Sequence, residues 1–121
     1  MADDGVSEQL ETLYWWGVAT FFRSPHNEDP AACDIGVLGI PHSSGNGSTE
    51  RDQHLGPRAV RNVSAHNRRP HRDYGLHPFE AFRVHDLGDV ALPEAMDNEA
   101  CVDRIAAATR RIADAQTRLV S

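Results

Sequence analysis

Seven histidines lie between His26 and His85 of this 121-residue chain. Imidazole is the commonest metal ligand and the side chain that titrates nearest neutral pH. Their spacing argues against a metal centre built from them alone. His42, His54, His66, His71 and His77 form neither an HxxxH pair on one helix face nor an HxH pair on one strand. His42 is the strongest single candidate for a pocket residue, because it follows the apolar run Asp34 to Ile40 and the turn residue Pro41. In open α/β sheets ligands gather at the carboxyl ends of strands. The polar stretch from His42 to Ala59, which joins that strand to a helix start, is therefore the expected wall of a pocket. The plainer alternative for His42 is a turn histidine bonded to backbone.

Asp86 and Asp89 flank Leu87-Gly88 at the end of a second apolar run, Phe82 to Leu87. Two carboxylates there could orient a histidine, bind a cation or cap a loop. Aspartate beside glycine at a strand end is ordinary turn chemistry, so a structural role is the expectation. Glu50-Arg51-Asp52 reads as a solvated charge run. Arg58, Arg61, Arg68, Arg69 and Arg72 form a basic stretch, but its flanks are acidic and no aromatic residue interleaves before Tyr74, so no nucleic-acid partner is expected. The chain has no phosphate loop, dinucleotide fingerprint or Gly-x-Ser-x-Gly elbow.

These residues need elements to hold them. Asp34 to Ile40 reads as a buried strand. Gly56-Pro57 starts a helix running to about His66, with Ala59, Val60 and Val63 expected on the sheet and Arg58, Arg61 and Asn62 outward. Pro70, Gly75 and Pro78 break the chain before the second strand. Asp97 caps a last helix with Glu99 in its first turn, and Val102, Ile105, Thr109, Ile112 and Leu119 repeat at helical spacing. The order β-α-β-α predicts a parallel sheet with helices on its faces. Residues 1–32 read as an amino-terminal arm, with its aromatics at Tyr14-Trp15-Trp16 and Phe21-Phe22; residues 33–121 read as the α/β unit. The aromatic cluster either packs on its own domain or docks on a neighbouring subunit.

The formal charge of -6 gives no electrostatic case for a polyanion, and all twelve basic residues other than histidine are arginine. Cys33 and Cys101 show no CxxC spacing, which points to buried reduced thiols. The acidic amino terminus is followed by no long apolar run, so neither a signal peptide nor a membrane span is expected, and the chain reads as cytoplasmic.

Three segments in order carry a resemblance. Asp34-Ile35-Gly36-Val37-Leu38-Gly39-Ile40-Pro41, then Leu55-Gly56-Pro57-Arg58-Ala59-Val60-Arg61, then His85-Asp86-Leu87-Gly88-Asp89-Val90 resembles the amino-terminal third of the ureohydrolases, the arginase and agmatinase family. The ordered triple is more specific than any one segment. Ser48-Thr49-Glu50-Arg51-Asp52-Gln53-His54 departs from the Gly-rich loop of agmatinases and looks more like the guanidine hydrolase branch.

The resemblance implies a three-layer αβα sandwich on a parallel sheet, of which this chain supplies the first β-α-β-α part. It implies hydrolysis of a guanidino compound (guanidine, agmatine or a guanidino acid) to urea plus an amine or ammonia, at a hydroxide bridging two metal ions, nickel or manganese. It places the substrate-binding chemistry on Thr49, Asn46 and Glu50 of the first loop, beside His42. The family's ligand segments, Gly-Gly-Asp-His, Asp-Ala-His-x-Asp and a later Asp-x-Asp, do not occur here. No metal ligand or catalytic residue therefore carries over, Asp86 and Asp89 match a structural motif, and the chain alone is expected to be inactive. Trimers or hexamers are implied. The competing expectation is a catalytically inactive partner subunit docked by the aromatic arm; a histidine-rich nickel carrier is a third.

Overall fold

The computed structural model describes residues 16–43, 52–65 and 71–121. β1 (Ile35–Gly39) is the central strand, with β2 (Val84–Asp89) on one side and β3 (Arg118–Val120) on the other, both parallel to it. Ile35 pairs with Val84 on one edge and with Arg118 on the other. Between the strands run α1 (Gly56–Ser64), a single turn α2 (Pro78–Ala81) and α3 (Asn98–Asp114). Because β2 and β3 flank β1 on opposite sides and parallel crossovers are right-handed, the two connections cover opposite faces. The result is the expected αβα layering, one strand richer than the β-α-β-α order.

On one face Leu38 and Leu87 pack with Cys33, Val90 and the fully buried Ile112 of α3. Gly36 makes this possible, since a Cβ there would overlap the Leu87 side chain. On the other face Phe21 packs with Val37 and Val84, and Phe22 tilts against Phe79 with ring centroids 5.3 Å apart. Arg83 ties the two strand starts together, its backbone N–H and guanidinium donating to Asp34 at 2.8 and 3.0 Å.

Asp97 caps α3 as expected, its carboxylate accepting from the Ala100 N–H at 3.1 Å. Cys101 is buried just behind, with its thiol 3.4 Å from the Glu94 carbonyl, and both cysteines are free. Leu119 corrects the expectation of a longer helix. The helix ends at Asp114, Gln116 turns the chain in the left-handed region at φ 59°, and Leu119 pairs with Gly36 as the middle of β3.

The second correction concerns α1, which starts at Gly56-Pro57 and keeps Arg58 and Asn62 outward as read, but turns Arg61 rather than its valines to the sheet. Ala59, Val60 and Val63 face solvent, Val63 at 75% exposure, while Arg61 and Ser64 turn toward the sheet. Polar satisfaction decided this orientation against hydropathy, because the face of β2 beneath the helix carries a buried carboxylate.

The segment before β1 packs on the sheet rather than standing clear of it. Phe21 is buried, and residues 25–27 run beside β2, with the Asp86 N–H donating to the Pro25 carbonyl and the Asn27 N–H to the Asp86 carbonyl. Trp16 is half-exposed, whereas Tyr14 and Trp15 lie outside the described residues. Among the described residues no helix is long and apolar enough to cross a membrane.

Candidate functional site

A sheet ordered 2-1-3 changes winding direction between β1 and β3, and doubly wound folds open their ligand crevice at that point, outside the carboxyl ends of the strands. Pro41, His42 and Ser43, which follow β1, stand there. His42 donates from Nε2 to Asn98 Oδ1 at 3.1 Å, which joins the chain leaving β1 to the first residue of α3. Ser43 Oγ and His54 Nδ1 share a hydrogen bond at 3.2 Å. Asn46, Thr49 and Glu50 lie outside the described residues, so of the four expected substrate contacts the structure places only His42.

A buried ion-pair network lies on β2, on the other side of β1 from this crevice, and was not legible as a unit. Asp86 is 1% exposed on the α1 face of β2. Its carboxylate accepts four hydrogen bonds: from Arg61 Nε at 2.9 Å and Nη2 at 3.1 Å, from the Phe21 N–H at 3.0 Å and from the Gly88 N–H at 2.8 Å. Arg61 Nη2 also reaches Asp89 Oδ1 at 2.8 Å, and the guanidinium carbon sits 4.2 Å from the centre of the Phe21 ring. Burial by itself would push the Asp86 carboxyl up, but the Arg61 bonds and the two backbone N–H groups outweigh it and hold the group below its ordinary value. Burial likewise works against the Arg61 charge, and its bonds to Asp86 and Asp89 reverse the balance and raise its pKa.

One signal could have found this pair. In the alternation Val84, Asp86 the aspartate occupies a buried position, and a buried carboxylate demands a cation from the covering element. Arg61 is the cation that α1 can bring over that strand. The turn carrying Phe21 is fastened by the same means, with the Phe22 N–H donating to Ser64 Oγ at 2.9 Å. Phe22 and Arg23 there hold left-handed φ of 53° and 54°.

A cleft of about 430 Å³ opens over the network, lined by Val18, Thr20, His26, Glu28, Arg58 and Asp89 among others. It lies along β2, and His42 does not line it. Among the described residues no group of three or more His, Cys, Asp or Glu side chains could hold a metal ion. Asp86 and Asp89 are bound to Arg61, so the described part of the chain does not fit the metal pair that the resemblance implies.

The sequence profile of the arginase family matches residues 33–121. The chain belongs to the arginase family. It is 41% identical over 73 residues to a guanidinopropionase of Pseudomonas aeruginosa, covering 60% of this chain and 23% of that protein. A guanidinobutyrase of the same organism is 37% identical over 79 residues, 63% of this chain and 24% of the relative. Among solved structures, proclavaminate amidino hydrolase from Streptomyces clavuligerus superposes with a TM-score of 0.70 at 24% identity, over 83% of this chain and 33% of the other. A hypothetical agmatinase from Burkholderia thailandensis gives 0.68 at 26% identity, over 87% and 33%. The chain thus spans about a quarter of the curated relatives and a third of the solved structures. The arginase-family chain carries the Ile35–Gly39 strand, the Gly56-Pro57 helix start and the Asp86–Asp89 strand end as its own elements.

Proposed function

We propose that this chain is the amino-terminal part of a metal-dependent hydrolase that cleaves a guanidino compound to urea and an amine or ammonia. The observation that carries the reading is the 41% identity to guanidinopropionase within the matched family region. The names of both curated relatives favour a guanidino acid over free guanidine as substrate. The loop that leaves β1 at the switch point supports the location of the site. Its residues have the chemistry for a flat cation: the Glu50 carboxylate suits a guanidinium fork, and the Thr49 hydroxyl and Asn46 amide oxygen can accept its remaining N–H groups. His42 stands at the root of that loop, held by Asn98. The nickel or manganese ions of the reading belong to ligands other than the described residues, and when bound they would supply an activated water.

The deciding experiment is urea release by the native product purified from its source cells, with manganese or nickel, from guanidine, agmatine, guanidinopropionate and guanidinobutyrate. Urea from a guanidino acid is the expected result. No urea from any of the four with either metal overturns the reading.

A second reading, a catalytically inactive subunit bound to a complete ureohydrolase in a trimer or hexamer, is favoured by the outward apolar side of α1 at Val60 and Val63. In it, the docking arm is the part of the amino-terminal segment that precedes Phe21, since Phe21 and the residues after it are packed on this chain's own sheet. Co-purification tests it, since replacing Trp15 and Trp16 by alanine releases a partner held by that arm.

A further inference from the structure

The cleft over the Arg61 network is built by backbone held against its preference. Neither Phe22 nor Arg23 is a glycine, yet both stand in the left-handed region, at φ 53° and 54°. The turn is held there from several sides. Asp86 accepts from the Phe21 N–H at 3.0 Å and Ser64 Oγ from the Phe22 N–H at 2.9 Å. Arg23 reaches back, donating to the Val18 carbonyl at 2.9 Å and to the Trp16 carbonyl at 2.7 Å. Val18 to Thr20 thereby form one wall of the cleft, opposite the α1 and β2 residues that line it. Backbone strain persists where the surroundings over-determine it, and it clusters at ligand clamps.

The volume of about 430 Å³ is that of a small-molecule site. Its floor is already satisfied, since Asp86 and Asp89 both bind Arg61. Three groups around the floor are not. Arg58, one turn before Arg61 on α1, is exposed and has no hydrogen bond or ion pair among the described residues. Asp89 gives Oδ1 to Arg61, and among the described residues its Oδ2 accepts nothing. The Glu28 carboxylate is 75% exposed and has only His26 near it, at 3.9 Å.

We propose that this cleft binds a short ω-amino acid, with its carboxylate on Arg58, its ammonium between Asp89 and Glu28, and its methylene carbons along Val18 and Ala19. The free cation and the free carboxylate oxygens call for a ligand that carries both charges, and the apolar wall suits the chain between them. Asp89 has one oxygen left, so it cannot take the two-pronged bond of a guanidinium, whereas an ammonium presents its three N–H groups to separate acceptors. His42 does not line this cleft, which sets the site apart from the crevice at the switch point. Under the proposed function such an acid is the product left beside urea when a guanidino acid is hydrolysed; the cleft itself does not depend on that reaction.

Calorimetric titration of the complete native protein with 4-aminobutyrate tests the site, in wild type, Arg58→Leu, Glu28→Gln and the double variant. Both residues are exposed, so all four proteins are expected to share one melting temperature. Each single variant is expected to bind the probe roughly three- to tenfold more weakly, the yield of one net hydrogen bond, and the double variant more weakly than either. Butyrate and butylammonium, which carry one charge each, bind the wild type more weakly than the probe does. No binding to wild type, binding that the double variant keeps unchanged, or equal affinity for either single-charge compound overturns the site. A loss seen only with a lowered melting temperature overturns it too. Urea release by the same preparations separates this inference from the functional reading. A protein that binds the probe as expected and releases no urea keeps the site and loses the proposed function, and one that releases urea without binding the probe loses only the site.

Discussion

Replacing Arg61 by methionine removes the charge over Asp86 while keeping most of the aliphatic stem, and the structure gives the size of the effect. The Arg61 side chain is 13% exposed and that of Asp86 2%, so the carboxylate left behind has little access to water. It keeps the Phe21 and Gly88 N–H groups and loses two of its four bonds together with the only cation bound to it among the described residues. Removing one partner of a buried pair costs about 3–5 kcal/mol, against about 0–1 kcal/mol for an exposed one.

The pH dependence follows from the direction of the Asp86 shift. In the wild type its folded pKa lies below the ordinary value of about 3.9. The stability it contributes is therefore fully present above that value and is lost as pH falls through the folded pKa. In the variant the uncompensated burial moves the folded pKa above the ordinary value. The penalty is then complete at neutral pH and shrinks as acid protonates the group. Urea unfolding followed by circular dichroism at pH 7.5 and pH 4 measures both. A difference of about 3–5 kcal/mol at pH 7.5 that narrows at pH 4 is expected. A gap below about 1 kcal/mol, or one of equal size at both pH values, refutes the buried-pair account.

Gly39→Ala drives a Cβ into the Asp89 carboxylate and toward Pro57, and is expected to lower unfolding stability by about 1–3 kcal/mol, whereas Gly56→Ala meets nothing within 4 Å and holds or raises it. Asp97→Ala removes the α3 cap and costs about 1 kcal/mol in the same measurement, with Asp97→Ser recovering most of it. In the complete enzyme, Thr49→Val is expected to reduce guanidino turnover far more than thermal stability, since a hydroxyl is lost at nearly constant volume; equal kinetics would remove Thr49 from the site.

Local chemistry made much of the fold readable. The apolar run with Gly36 and Gly39 gave β1 within a residue at each end, Gly56-Pro57 gave the start of α1, and Asp97 with Glu99 gave the start of α3. Each is a short-range requirement of backbone geometry or capping. What escaped the sequence reading depends on partners far along the chain. The orientation of α1 was set by Asp86, 25 residues away from Arg61, and a periodic apolar stripe carries no record of a carboxylate waiting on a strand not yet formed. The strand at Leu119 escaped because neither glycine nor proline marks the break, and Gln116 adopts the left-handed turn instead. Within the site, only His42 could be followed from sequence to position, and Asn98, which holds it, gave no signal of its own.

The placement of β1 between two later strands also sets a timetable. Its partners are Val84 on one edge and Arg118 on the other, so neither exists when Ile35 leaves the site of synthesis. At about 5–20 residues per second, the first edge stays unpaired for several seconds and the second for longer still. Throughout that interval this apolar strand has two open edges. The sequence Ile35-Gly36-Val37-Leu38-Gly39 interrupts its hydrophobic run with two glycines, residues of low strand propensity. The glycines that let Leu87 and Asp89 close in on the finished sheet thus also blunt premature self-pairing while the chain is still being made.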